Sequence, residues 1–148
     1  MQILPLSNPG QNPTIFIHWE LEQHAISNSK DTFSPMFDVG NLSWVLSVSK
    51  EWCSAQQDWF LSVCLTRVDG DWTARNIGVS ETVCILNHAT ASDNCYWQLE
   101  AVFDKTDNEL GFSKLLKWDI ALDEAEGFVN QNKISIEVVI DIPHIVEL

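Results

Sequence analysis

The fold class is decided by one stretch near the C-terminus, Lys133-Ile134-Ser135-Ile136-Glu137-Val138-Val139-Ile140-Asp141. Every even position is isoleucine or valine, whereas Ser135, Glu137 and Asp141 stand at odd positions. Successive side chains of a β-strand point to opposite faces of the sheet. The stretch therefore predicts a strand with one buried face and one polar face.

Earlier segments repeat this alternation. The residues predicted to face the core are Ile15, Ile17, Trp19 and Leu21; Leu42, Trp44, Leu46 and Val48; Trp59, Leu61, Val63 and Leu65; Val83 and Ile85; and Cys95, Trp97, Leu99, Ala101 and Phe103. Turn-forming residues separate these segments, which is typical of antiparallel all-β proteins. We predict an all-β fold, an antiparallel β-sandwich of about eight strands with one short helix.

The predicted sandwich spans residues 14–142. Residues 1–13 are rich in proline and glycine and are expected to form a flexible lead-in. Pro143 is expected to end the last strand, because proline cannot donate to a ladder. Residues 143–148 are then a C-terminal tail.

The composition and the net charge exclude some classes of binding partner. The chain has 148 residues, of which 45% are hydrophobic, with seven tryptophans and seven phenylalanines, so a packed core is expected. Eight basic residues against 21 acidic ones give a net charge of -13. A chain this acidic repels phosphate backbones, so we expect no nucleic-acid partner. A basic or neutral protein partner is favoured.

The sequence suggests an intracellular domain without cofactors. No apolar run has the length of a membrane span. The N-terminus lacks the basic and apolar regions of a signal peptide, so a cytosolic or nuclear location is expected. The four cysteines, Cys53, Cys64, Cys84 and Cys95, are irregularly spaced, and we expect free thiols within strands without a disulfide framework or metal.

The sequence offers one candidate for a catalytic cysteine. Cys64 would be the nucleophile and His88 its base. No basic residue near Cys64 in sequence would lower its pKa, and a cysteine in a strand is typically a small apolar group.

Two carboxylate pairs are candidates for glycosidase residues or metal ligands. Asp69/Asp71 and Asp104/Asp107 both lie in predicted turns, where aspartate is favoured for backbone reasons. We therefore predict that the chain is not an enzyme.

One stretch, Asp107-Asn108-Glu109-Leu110-Gly111-Phe112-Ser113-Lys114-Leu115-Leu116, breaks the alternation. Gly111 suggests a tight bend or a close backbone approach. A short helix is predicted over residues 112–118. The stretch is either a loop that closes the sandwich with Phe112 in the core, or the rim of a peptide-binding groove.

The order of several motifs resembles MATH domains (meprin and TRAF homology). Asn41-Leu42-Ser43-Trp44-Val45-Leu46-Ser47-Val48 is similar to the family's W-x-l-x-v strand, and Phe60-Leu61-Ser62-Val63-Cys64-Leu65 to its next strand. Leu110-Gly111-Phe112 is similar to its DWGF segment. Gly127-Phe128-Val129, followed by Asn132-Lys133-Ile134-Ser135-Ile136-Glu137-Val138, is similar to its closing motif.

The resemblance implies an eight-stranded antiparallel sandwich that captures short linear peptides in a shallow groove across one sheet. It also implies a recruiting or adaptor role in the ubiquitin system. Ile140-Asp141-Ile142-Pro143-His144 is similar to the herpesvirus-associated deubiquitinases, whereas Leu122-Asp123-Glu124-Ala125 is similar to the speckle-type BTB adaptors. Both branches stay open.

Carried onto this chain, the family's groove comprises Ser62, Cys64, Glu81, Ala101, Asn108, Glu109, Leu110, Gly111, Phe112 and Ser113. Many relatives have aromatic residues at the positions of Cys64, Glu81 and Ala101, and tryptophan at that of Leu110. Glu109 keeps the family's acidic character. The resemblance thus implies a wider, acidic groove suited to a basic peptide. Ala101 also alternates with predicted core residues, which would turn it away from the groove.

Two other functions fit the sequence. The chain would be a structural or self-associating sandwich if a second copy covered the face around Ser62 and Cys64. It would be an N-terminal recruitment domain if a deubiquitinase followed it. We expect a monomer or weak dimer.

Overall fold

The computed structural model describes residues 1–6, 12–28, 31–39, 42–68, 75–104 and 108–147, and these form two packed β-sheets. Sheet A contains β1 Gln2–Pro5, β2 Thr14–Glu22, β7 Arg75–Ile85, β8 Cys95–Phe103, β10 Val129–Asn130 and β11 Lys133–Glu147. Sheet B contains β3 Asp31–Phe33, β4 Phe37–Val39, β5 Leu42–Cys53, β6 Asp58–Arg67 and β9 Glu109–Lys117. The helices are α1 Gln23–Asn28 and α2 Trp118–Leu122, with 3-10 turns at Ala91–Asp93 and Glu124–Glu126.

The described strands pair in an antiparallel manner. Sheet A has the order β1-β2-β11-β7-β8 with β10 beside β11, and sheet B has the order β3-β5-β6-β9 with β4 beside β5. β11 contacts β2 on one side and β7 on the other. The predicted antiparallel sandwich is therefore confirmed.

The core lies between the two sheets and follows the predicted alternation. Trp44 of β5 packs edge-on against Phe103 of β8, with ring centroids 5.1 Å apart. The fully buried Ile17, Leu46 and Ile136 come from three of the predicted strands. Such pairs of large apolar side chains supply the main driving force for folding.

Two tryptophans predicted to be in the core are partly exposed instead. Trp59 is 42% exposed because it lies near the tip of the β5–β6 hairpin, where it packs against Trp52 rather than under sheet A. Trp97 is 45% exposed on β8, an edge strand. Alternation assigns the face of a strand but not how far the opposing sheet extends.

The predicted helix over residues 112–118 is wrong. β9 continues to Lys117, and α2 begins only at Trp118. The pairing with β6 shifts register, since Val63 lies opposite Phe112 whereas Leu61 lies opposite Leu116. This bulge places Phe112 and Leu115 three positions apart on the buried side, a spacing that resembles a helix.

The predicted strand end at Pro143 is also wrong. β11 continues to Glu147, and the proline falls where the pairing with β7 shifts register, between Asp141 and His144. A bulge tolerates a missing N–H donor. Within the N-terminal lead-in, Gln2–Pro5 forms β1 along β2.

Candidate functional site

The irregular stretch is the edge strand of sheet B. β9 pairs only with β6 in the described sheet order, so its other edge is not paired with a strand there. The Arg67 N–H donates to the Asn108 carbonyl at 3.1 Å, which directs the Asn108 backbone toward β6. Backbone groups of successive residues in a strand point to opposite edges. Those of Glu109, Gly111 and Ser113 therefore point to the open edge.

The side chains of β9 divide between the core and the surface. Leu110, Phe112 and Leu115 are buried in the core. This confirms that Phe112 helps to close the sandwich, and it places Leu110 inside rather than on the surface. Asn108, Glu109, Gly111 and Ser113 are exposed.

A row of small side chains crosses the outer face of sheet B. Ser47 lies opposite Cys64, and Cys64 lies opposite Gly111. Phe33, which is 64% exposed, continues the row beyond Ser47. We call the row of small residues Ser47, Cys64 and Gly111, which lies between the open edge of β9 and the exposed Phe33 ring, the trough.

Gly111 contributes to the depth of this trough, and the backbone does not require it there. A Cβ at Gly111 would meet the Cys64 Sγ at 3.6 Å, an ordinary van der Waals distance. Both alternatives predicted for Gly111, a tight bend and a close backbone approach, are therefore wrong. At Gly127, in contrast, the backbone does require glycine. Its φ is 92°, and a Cβ there would clash with the Asn87 side chain.

Cys64 is a half-buried thiol in the floor of the trough. Burial raises its pKa, and the Glu109 charge raises it further, against a lowering effect of the hydrogen bond with Thr66. The thiol lies 3.9 Å from the Leu65 carbonyl oxygen and from the Thr66 hydroxyl oxygen. A thiol with a raised pKa is a poor nucleophile. His88 is exposed in the connection that follows β7 of the other sheet.

Ser62 lies at the register shift of β6 and is buried. It shares the outer side of sheet B with Ser49, its direct partner on β5, and with Asp31, which pairs with Ser49 from β3. Ser62 is therefore on the same face as the trough, beside it, but it is buried and not an exposed contact.

Glu81 and Ala101 are on the other sheet, away from the trough. Glu81 is fully buried on β7 between Leu99 and Ile140, and neither carboxyl oxygen has a hydrogen-bond partner among the described residues. Burial raises its pKa to about 8, so the group is neutral at pH 7. Ala101 packs on the core from β8. The spacing of Val79, Glu81 and Val83 was the sequence signal for an inward-facing Glu81.

The outer face of sheet B carries acidic groups around the trough. Glu109 and Asp31 are exposed beside it, and Asp38 accepts a hydrogen bond from the Ser43 hydroxyl at 2.8 Å. Glu51 accepts one from the Ser49 hydroxyl at 3.1 Å. The site thus offers backbone pairing along an edge, a small-residue floor and negative charge.

Of the four carboxylates in the two candidate pairs, one lies in the part of the chain that the structure describes. Asp69, Asp71 and Asp107 lie outside the described residues, and Asp104 is half-buried after β8. In the part of the chain that the structure describes, no group of three or more histidine, cysteine or acidic residues is placed to hold a metal ion. The four cysteines are free thiols. No described helix is long and apolar enough to span a membrane.

Comparisons with known proteins give one clear result. The family model of the MATH domain matches residues 18–140. No curated protein matches the sequence. A comparison with solved structures finds 56 chains that match this one.

One solved structure is a point mutant of CBM29-2, a family 29 carbohydrate-binding module. It is 10% identical, with 100% of this chain and 92% of that chain covered, and has a TM-score of 0.14. A likeness this low indicates neither a shared fold nor a shared ligand.

The family match covers the sandwich from β2 to the middle of β11, including both sides of the trough. MATH domains are in general protein–protein interaction modules. The chain belongs to the MATH domain family.

Proposed function

We propose that this domain binds an extended segment of a partner protein along the open edge of β9. The ligand would add a strand to sheet B, and its alternate side chains would lie over the trough formed by Ser47, Cys64 and Gly111. The observation that carries this proposal is the outward direction of the Glu109 and Gly111 backbone groups on an edge strand. Strand addition obtains affinity from main-chain hydrogen bonds and specificity from side-chain pockets.

The ligand segment would be basic. Glu109 and Asp31 are exposed on the side of sheet B that carries the trough, and the chain has a net charge of -13. Charges of opposite sign speed association and select among partners, while adding less to the affinity itself.

The proposed role is recruitment without catalysis. The resemblance to adaptors and deubiquitinases supports delivery of the bound partner to the ubiquitin machinery, in the cytosol or nucleus. Either the BTB branch or the deubiquitinase branch would serve this role. The raised pKa of the Cys64 thiol supports a binding role for that residue rather than a nucleophilic one.

Self-association is the second candidate, because an open strand edge also pairs with a second copy of the same edge. Sedimentation of the purified domain tests it. A concentration-dependent dimer that slows exchange of the Glu109 and Gly111 amides would favour self-association over capture of a partner peptide.

The peptide-binding proposal is tested with a randomised peptide library displayed on phage. Selected peptides should be enriched in lysine and arginine and should slow exchange of the Glu109, Gly111 and Ser113 amides. Glu109→Lys should lower the affinity of the selected peptides at least about fivefold, a change of about 1 kcal/mol in binding free energy.

The matched control is Glu100→Lys, which reverses an exposed acid on the outer face of sheet A. It should leave binding unchanged. Peptides that protect amides elsewhere, or equal losses in both variants, would contradict the proposed site.

A further inference from the structure

The open edge of β9 ends at Leu115, because the carbonyl of that residue is already bonded. The Cys95 thiol donates to the Leu115 carbonyl at 2.9 Å, and the Trp97 indole N–H donates to it at 3.2 Å. Both donors come from β8, the edge strand of the opposite sheet. A side chain from one sheet thus covers the backbone of the other.

The two donors also support each other. The Trp97 indole N–H lies 3.3 Å from the Cys95 Sγ, so it is within hydrogen-bond distance of both that sulfur and the Leu115 carbonyl oxygen. Burial raises the pKa of Cys95, against the lowering effect of the hydrogen bond with Trp97, so its thiol keeps the proton that it donates. Trp97 keeps nearly half of its surface exposed at this point.

This contact divides β9 into two parts. Glu109, Gly111 and Ser113 present backbone groups to the open edge, whereas Leu115, the next residue to do so, is covered. The bulge between Phe112 and Leu116 lies at the same place and breaks the regular ladder. A paired strand could therefore extend along β9 only as far as Ser113.

We propose that Trp97 and Cys95 form a stop that sets the length and register of the bound strand. This inference rests on the proposed function. A ligand would pair across residues 109–113, a span of about 17 Å at about 3.3 Å per residue. Its next residue would meet the Trp97 ring instead of a backbone partner. Trp97 is thus a specificity-determining residue, although it lies outside the family motifs.

A purely structural tie between the sheets would have the same geometry but a different effect on binding. A tie changes stability and acts equally on short and long ligands. A stop changes how affinity depends on ligand length at one end of the trough. Length dependence therefore separates the two roles.

The experiment uses a peptide selected from the phage-displayed library, shortened and extended by single residues at each end. With the unaltered domain, residues added past the Ser113 end should change affinity less than about twofold. With Cys95→Ala combined with Trp97→Ala, which removes both donors and the ring, the same additions should raise affinity about fivefold, since one more backbone hydrogen bond becomes available. Trp97→Ala alone removes the ring and one of the two donors, so it should give part of that gain, and it serves if the double variant does not fold.

The control is Tyr96→Phe, which alters the neighbouring residue on the opposite side of β8. It should reproduce the length dependence of the unaltered domain. Equal length dependence in all variants would overturn the stop and leave the groove intact. If no library peptide slows exchange of the Glu109, Gly111 and Ser113 amides, the proposed function itself fails, and the stop fails with it.

Discussion

Gly111 on β9 lies directly opposite Cys64 on β6, and a methyl group built on Gly111 would sit 3.6 Å from the Cys64 Sγ. The site therefore has room for a side chain that the sequence does not supply. Space of this kind on an outer face is available to a ligand side chain.

Gly111→Ala should separate binding from folding. Alanine is compatible with an extended backbone and lowers the entropy of the unfolded chain, so stability should rise by about 0.4–1 kcal/mol. The added methyl group fills the trough, so affinity for a selected library peptide should fall. Thermal unfolding and calorimetry measure the two effects.

Gly127→Ala is the matched comparison for stability. Gly127 has a φ of 92°, and a Cβ there would clash with the Asn87 side chain, so the substitution should cost about 1–3 kcal/mol. If Gly111→Ala destabilised the domain as much as Gly127→Ala, Gly111 would have a structural role that its surroundings do not reveal.

Glu81 should make the domain less stable as the pH rises. Burial raises its pKa from 4.5 to about 8, so between these values the unfolded chain has lost the proton that the folded chain keeps. The free energy of unfolding should fall by about 1.4 kcal/mol per pH unit over that window and level off above it. Below pH 4.5 the carboxyl is protonated in both states and contributes no slope.

Glu81→Gln should remove this contribution, because the amide does not titrate. Urea unfolding at several pH values measures the difference between the variant and the unaltered chain. An unchanged pH dependence in Glu81→Gln would mean that Glu81 is ionised or solvated in the folded state. Glu81→Met should stabilise the domain by about 1–3 kcal/mol at pH 7, since it removes two unsatisfied oxygens.

The exposed tip of the β5–β6 hairpin should be stabilised by its aromatic pair. Trp52 and Trp59 meet edge to face with ring centroids 5.2 Å apart, and the Lys50 Nζ lies 4.8 Å from the Trp59 ring centroid. A double-mutant cycle of Trp52→Ala and Trp59→Ala should give a coupling of about 0.5–1.5 kcal/mol. Lys50→Met keeps the stem and should cost about 0.5–1 kcal/mol through the lost cation–π contact. Additive losses in the cycle would mean that the rings do not interact in solution.

Serine-rich degron peptides, which MATH domains of the speckle-type adaptors bind, should bind this domain weakly or not at all. Leu110 is buried in the core, and Cys64 and Gly111 present no aromatic surface at the trough. Each missing aromatic contact removes about 1–3 kcal/mol of burial. Calorimetry that gave a low-micromolar dissociation constant would contradict this expectation.

Much of the fold was predictable, because alternation is a local property of the chain. The buried faces of β2, β5 and β11 follow directly from their isoleucine, leucine, valine and tryptophan residues. The bulge in β9 was not predictable, since it depends on the register with β6, which lies far away in sequence. The same bulge produced the incorrect helix prediction.

The candidate site was predicted only in part. The exposed Glu109, Gly111 and Ser113 were predicted as groove residues and lie together on β9, and the exposed Asn108 directly precedes them. Phe33 and Trp97 were not among the predicted groove residues. Phe33 lies beside Ser47, and Trp97 lies at the Leu115 carbonyl, only through the pairing and packing of distant strands.

The sequence by itself settled the fold class and the acidic character of the chain, since both depend on residue type and short-range period. The MATH resemblance was also readable from ordered motifs, and the family match over residues 18–140 confirms it. Only the packed structure made β9 an edge strand and placed Trp97 on the Leu115 carbonyl. Those relationships join residues on different strands and sheets, and no local pattern encodes which strand lies at an edge or how far one sheet covers the other.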